Sequence, residues 1–142
     1  YFPNSNRKTD AQLMIFNLQD KLVMKDYLSA KLYFNLGTYI GNASTTADNR
    51  INGNNYLACI TTAENALKDY PYTTMREEIS ILLLRAKYKL GVESVDEKKE
   101  ERMRDAIDEY YAFKNEFPES KYMKEVESIY KNASKYVKEL ND

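Results

Sequence analysis

Histidine and tryptophan are absent from this 142-residue chain, and cysteine occurs once. Without histidine there is no Ser-His-Asp or Cys-His catalysis and no histidine-ligated metal site. A lone Cys59 closes no intrachain disulfide, so thiol usage does not report the redox compartment. The 4 glycines never fall into G-x-G-x-x-G or a P-loop, which removes the common phosphate cradles. An excess of either charge is missing too. With 21 basic and 22 acidic residues the net charge is −1, which points to neither nucleic acid nor an anionic membrane as partner. The longest run of branched aliphatic residues, Ile81 to Leu84, is far too short to cross a bilayer.

The rest of the composition is that of a globular domain, 43% hydrophobic and 30% charged. A chain of this length buries roughly 70% of its unfolded surface in one core. The aromatic choice is unusual, with 13 tyrosines and no tryptophan.

One phrase occurs three times: "YFPNS" at the start, "DYPYT" in the middle and "EFPES" near the end. Aligned on Pro3, Pro71 and Pro118, the chain places Ser5, Thr73 and Ser120 two residues on, each a good helix N-cap. Further along stand Ala11, Ile79 and Val126, then Met14, Leu82 and Ile129, then Ile15, Leu83 and Tyr130. Leu18, Ala86 and Ala133 follow, then Leu22, Leu90 and Val137. Spacings of three and four in every copy predict the apolar stripe of an amphipathic helix. Upstream of the two internal prolines stand Cys59 and Ala106, then Ala63 and Tyr110, then Ala66 and Phe113. A small residue, then an aromatic, then proline is one half of the tetratricopeptide (TPR) pattern, in which small residues let two helices approach. Cys59 therefore reads as a small buried hydrophobe.

These signals predict helices at about 5–37, 55–70, 73–90, 98–116 and 119–140, with Gly91 ending the third. Loops are predicted at 38–54, rich in Gly and Asn, and at 91–97. The fold class is all-α: a TPR-like α-solenoid of antiparallel helical hairpins with one long first helix. Because the chain opens on the tail of its own repeated phrase, it is expected to be a piece of a longer one.

Residues that could carry chemistry have plainer roles. "SVDEKKEERMRD" (94–105) reads as a solvated helix start, with Asp96 and Glu97 at the dipole's positive end and Glu100 to Arg104 at i,i+4. Asp105, Asp108 and Glu109 lack the histidine that a carboxylate metal site of the di-iron kind adds. "DNRING" (48–53) puts Arg50 where a calcium loop needs an oxygen ligand. No catalytic, metal or cofactor constellation is left, and the expectation is a non-enzyme. Tyr110, Tyr130 and Tyr70 fall on stripes and read as packing. Tyr111, Tyr122 and Tyr136 fall at stripe edges, where half-exposed rings suit a protein interface.

Repeats closing in "DYP" or "EFP", followed by a Ser or Thr cap and Tyr-rich faces, resemble the BamD family of TPR-containing outer-membrane assembly lipoproteins. The stretches 1–37, 54–91 and 106–140 resemble the family's C-terminal repeat region. The resemblance implies a non-catalytic scaffold subunit that holds the periplasmic domains of BamA, the barrel-forming subunit, beside the other lipoproteins of the machinery. Unfolded outer-membrane proteins are a further partner class it implies. It also implies a place on the periplasmic face of the outer membrane, reached through a lipid anchor upstream of this chain. Thr62, Asn65 and Asp69, on the outer face of the 55–70 helix, are the expected partner contacts. Cys59, Ala63, Ala66, Pro71, Ala106, Tyr110, Phe113 and Pro118 are expected to serve repeat packing. The alternative is a TPR-built lipoprotein that binds a glycan or peptide in nutrient uptake.

Deleting Asn42 to Asn52 is expected to leave the melting temperature nearly unchanged, since closure entropy varies slowly with loop length. A calorimetric scan of the deletion variant against the parent checks this.

Overall fold

The computed structural model describes residues 3–38 and 54–137, and every regular element among them is a helix. In chain order these are α1 (Pro3–Leu36), α2 (Asn55–Asp69), α3 (Arg76–Val92), α4 (Asp96–Glu116) and α5 (Met123–Ser134). The 38–54 segment predicted as loop lies outside the described residues over 39–53.

Helix α1 starts on a proline, whose missing N–H costs nothing in a first turn. It runs unbroken for 34 residues, about 51 Å at 1.5 Å per residue. Gly37 stops it with a left-handed φ of 54° while its N–H still reaches the Tyr33 carbonyl at 3.0 Å. Only glycine fits, because a Cβ there would stand 2.8 Å from the Tyr56 hydroxyl oxygen. The Gly37 carbonyl accepts from the Asn55 N–H at 3.0 Å, and Asn54 Oδ1 caps α2 through the Tyr56 N–H at 3.0 Å.

The two internal proline turns share one hydrogen-bond pattern. The N–H of Tyr70 reaches the Ala66 carbonyl at 2.9 Å, and that of Phe117 reaches the Phe113 carbonyl at 2.8 Å. Both residues then leave the helix in a nearly identical conformation (φ −129°, ψ 65° and φ −127°, ψ 61°). Proline at the next position excludes the α region for them. Thr73 Oγ1 accepts from the Met75 N–H at 3.2 Å, and Ser120 Oγ from the Tyr122 N–H at 3.1 Å. These hydroxyls close a turn ahead of each helix. They are not the N-caps expected from sequence, because α3 and α5 begin only at Arg76 and Met123.

Gly91 does not end α3. The helix passes through it to Val92, and a Cβ at Gly91 would lie 2.9 Å from Met103 Sδ on α4. The glycine serves a close helix approach. Helix α4 starts at Asp96, with two acidic residues in its first turn. Helix α5 stops at Ser134, and a turn carries Val137 back into the core.

Each helix packs on its sequence neighbour, and α3 also touches α1 and α5, so it meets all four others. Ile79, Leu82, Leu83 and Ala86 of α3 meet Val23 and Ala30 of α1 and Cys59, Ala63 and Ala66 of α2. Ile81 and Leu84, on the other side of α3, meet Tyr110 and Phe113 of α4 and Val126 and Ile129 of α5. A further cluster joins Met103 and Ile107 of α4 to Ala133 and Val137. Each large aliphatic side chain buried here contributes about 1.5–3 kcal/mol.

The stripe expected to bury α1 does not. Ala11, Met14, Ile15, Leu18 and Leu22 are all exposed, and the buried positions are Val23 and Ala30, flanked by half-buried Tyr27 and Phe34. The same spacing is buried in α3 and α5 because another helix lies over it. Nothing among the described residues lies over it in α1.

Ala106 is fully buried in α4. Ala106→Leu is expected to lower stability by about 1–3 kcal/mol through overpacking, seen in urea as a lower midpoint at an unchanged slope.

Candidate partner-binding surfaces

Helix α3 is apolar on two faces, so its charged residues leave along the narrow seams between them. Arg85 points to one seam and Lys87 to the other. Arg85 forks onto Glu125 of α5, with Nε to Oε1 at 2.6 Å and Nη2 to Oε2 at 2.7 Å. Its guanidinium lies 5.3 Å from the centroid of the Tyr122 ring. The Tyr122 hydroxyl donates to Glu78 at 2.8 Å, and Lys121 Nζ lies 3.6 Å from the same carboxylate. A continuous polar network thus ties α3 to α5. The Arg85 hydrogen bond holds the Glu125 carboxyl below its usual range, and the bond to Glu125 raises the Arg85 pKa.

On the opposite seam Lys87, only 18% exposed, bridges Glu109 of α4 at 2.9 Å and Glu64 of α2 at 3.2 Å. Burial pulls its ammonium down, but the two carboxylates outweigh it and the pKa is raised. Glu109 is therefore a structural ion-pair partner. Asp105 and Asp108 are exposed, and no group of three possible metal ligands occurs among the described residues. Glu100 and Arg104 pair at 2.9 Å.

Hydroxyl reach accounts for several of the tyrosines. The buried Tyr110 ring stacks on Tyr130 at 4.4 Å, while its hydroxyl meets Glu127 at 3.0 Å and Lys114 at 3.2 Å. The Tyr111 hydroxyl donates to that of Tyr130 at 3.2 Å. A phenylalanine would forfeit these bonds, and an indole N–H cannot also accept from Lys114. Cys59 is fully buried, and burial pushes its thiol up to about 12. It packs, and it does not react.

The expected partner contacts lie on one helix with different exposure. Thr62 is half-buried, while Asn65 and Asp69 are exposed. Because α2 runs back along α1, Asp69 sits near the middle of α1 and not near its end. It shares a cavity of 240 Å³ with Phe16, Asp20, Val23 and Tyr72. The residues expected to pack are placed as follows: Ala63, Ala66, Ala106, Tyr110 and Phe113 are buried, and Pro71 and Pro118 are exposed in their turns.

Beyond Asp69 the N-terminal half of α1 projects with apolar side chains on every side. Leu13, Met14, Ile15, Phe16, Leu18 and Leu22 are between 50% and 66% exposed. Soluble monomers seldom leave such contiguous apolar surface open, and a helix apolar all round is normally interior.

Two features were missed from sequence. The Arg85–Glu125 clamp spans 40 residues, and its one sequence signal is the glutamate seven residues after each internal proline, Glu78 and Glu125. The cavity between α1, α3 and α5 had no signal, since it depends on how three helices splay.

The chain matches no protein-family model, and a search of the curated proteins finds no match. What it does has to be argued from its own side chains.

The depressed Glu125 pKa makes its stabilisation present above the unfolded glutamate value of about 4.3 and lost as pH falls through the folded one. Glu125→Gln is therefore expected to melt below the parent at pH 7, by the about 0.2–1 kcal/mol of a half-exposed pair. The two melting curves should converge below about pH 4.

Proposed function

We propose that the chain is a non-catalytic, TPR-like scaffold that holds protein partners. The observation that carries this is the open apolar surface of α1 between Leu13 and Leu22, which is chemically suited only to packing against more protein. Buried tyrosines that satisfy one another's hydroxyls, an inert cysteine and carboxylates committed to ion pairs agree with it, because none is poised for turnover.

The repeated proline turn and the stacked helices support the finer proposal, which comes from the resemblance. The chain is the C-terminal repeat region of a BamD-like subunit on the periplasmic face of the outer membrane, holding BamA. In this proposal Thr62, Asn65 and Asp69 touch BamA, with Asp69 leading onto the open surface of α1 through the cavity it shares with Phe16. A glycan-binding lipoprotein is less well supported, because the stacked pair Tyr110–Tyr130 has one ring buried and offers no sugar platform.

Calorimetry with the soluble periplasmic domains of BamA tests the finer proposal. The parent chain is expected to bind, and Thr62→Glu or Asn65→Arg to weaken binding at least about fivefold, with stability changed by under about 0.5 kcal/mol. Undiminished binding by both variants would move the contact elsewhere. Absence of binding by the parent would remove BamA as the partner.

A further inference from the structure

A second surface, separate from α1's open side, has the features of a small recognition site. Where α1, α3 and α5 splay apart they leave a cavity of about 320 Å³, lined by Phe34, Arg85, Tyr88, Lys89, Glu125 and Ile129. That is the small end of ligand-pocket sizes and suits one large side chain better than a whole metabolite. Its apolar walls come from three helices: Phe34 from α1, Tyr88 from α3 and Ile129 from α5. The walls are held in place. Phe34 packs edge-on against Tyr56 at 5.7 Å, and Tyr88 and Ile129 belong to the core cluster around Leu84.

The charges around this hole do not balance. Arg85 and Glu125 neutralise each other through their two-bond fork, and Glu78 is engaged by Tyr122 and Lys121. Lys89, one turn beyond Arg85, is exposed and forms no ion pair among the described residues. Lys31, one turn before Phe34 on α1, is likewise exposed and unpaired there. The nearest free carboxylate on α3, Glu93, lies toward Tyr56 at the helix end. An apolar hole is thus rimmed by two uncommitted ammonium groups.

We propose that this groove binds a linear peptide segment that inserts one aromatic or branched aliphatic side chain between Phe34, Tyr88 and Ile129. Acidic residues flanking that side chain meet Lys89 and Lys31. The apolar anchor supplies affinity and the two lysines supply sign selectivity, since rim charges steer and select more than they bind. A basic partner segment is rejected. The groove recognises a segment presented by another protein while α1's open surface holds a folded partner, so one scaffold serves two kinds of contact.

The test is nuclear magnetic resonance titration of the full ¹⁵N-labelled chain with three capped peptides, GDFDG, GKFKG and GDSDG. With GDFDG the amides of Phe34, Tyr88, Lys89 and Ile129 are expected to shift together. GKFKG should bind about fivefold more weakly, the size of one exposed ion pair, and GDSDG more than about tenfold more weakly, for loss of the apolar anchor. Lys89→Glu, an exposed change that leaves the fold intact, should lower GDFDG affinity by about fivefold. The proposal is overturned if these amides stay still at about 2 mM peptide, the weak limit of useful recognition. It is equally overturned if GKFKG binds as well as GDFDG, if Lys89→Glu changes nothing, or if the shifts fall on residues 13–22 of α1 instead.

Discussion

Six consecutive residues, Ile79 to Leu84, are buried on α3, and the rest of the structure depends on how that is possible. A helix turns through all directions in six residues, so burying them requires protein on nearly every side. The chain supplies it with α1 and α2 on one flank and α4 and α5 on the other. Ser80 is the only polar residue among the six, and among the described residues no buried side-chain polar atom lacks a partner. Arg85 and Lys87 are the first side chains of α3 with room for a charge, and each is immediately spent on a bridge to a neighbouring helix. Loss of α3 packing would leave no other element joining the two flanks through its own core.

The repeated turn explains how flanks of similar design are delivered to α3. Tyr70–Pro71 and Phe117–Pro118 leave their helices with nearly the same dihedral angles, and a hydroxyl two residues beyond each proline closes the turn. Proline does two jobs here. It denies the preceding residue the helical region, and it forfeits an N–H that a turn does not need. Small residues before each turn, Cys59, Ala63 and Ala66 in α2 and Ala106 in α4, are buried where helices meet closely. Tyrosine suits the same arrangement from the other side, because a stacked ring fills the interior while its hydroxyl ends at an acid or a lysine on the rim.

Much of this was legible in the sequence. Proline, glycine and the three-and-four spacing located the helices, since those signals act through the local backbone. What misled was the same spacing in α1. Ala11, Met14, Ile15, Leu18 and Leu22 match the stripes of α3 and α5 position for position, yet they are open to solvent. Periodicity reports that a face is apolar and is silent on what covers it. Gly91 failed for a related reason, because a helical glycine can answer a close approach of Met103 as well as a helix end. The candidate groove was illegible, because Phe34, Tyr88 and Ile129 meet only after three helices have packed. The charge clamp beside it was half legible, in the glutamates that follow Pro71 and Pro118 at one spacing.

A central helix packed on two flanks and a projecting apolar helix make opposite demands on local stability. The first should open only when the whole chain unfolds, and the second should be the easiest helix to melt until a partner covers it. Hydrogen exchange followed by mass spectrometry reads both in one experiment. Amides of residues 79–90 are expected to exchange slowest of all, and those of 7–19 orders of magnitude faster in the isolated chain. Exchange over 79–90 as fast as over 7–19 would contradict the claim that α3 is what the fold is built around.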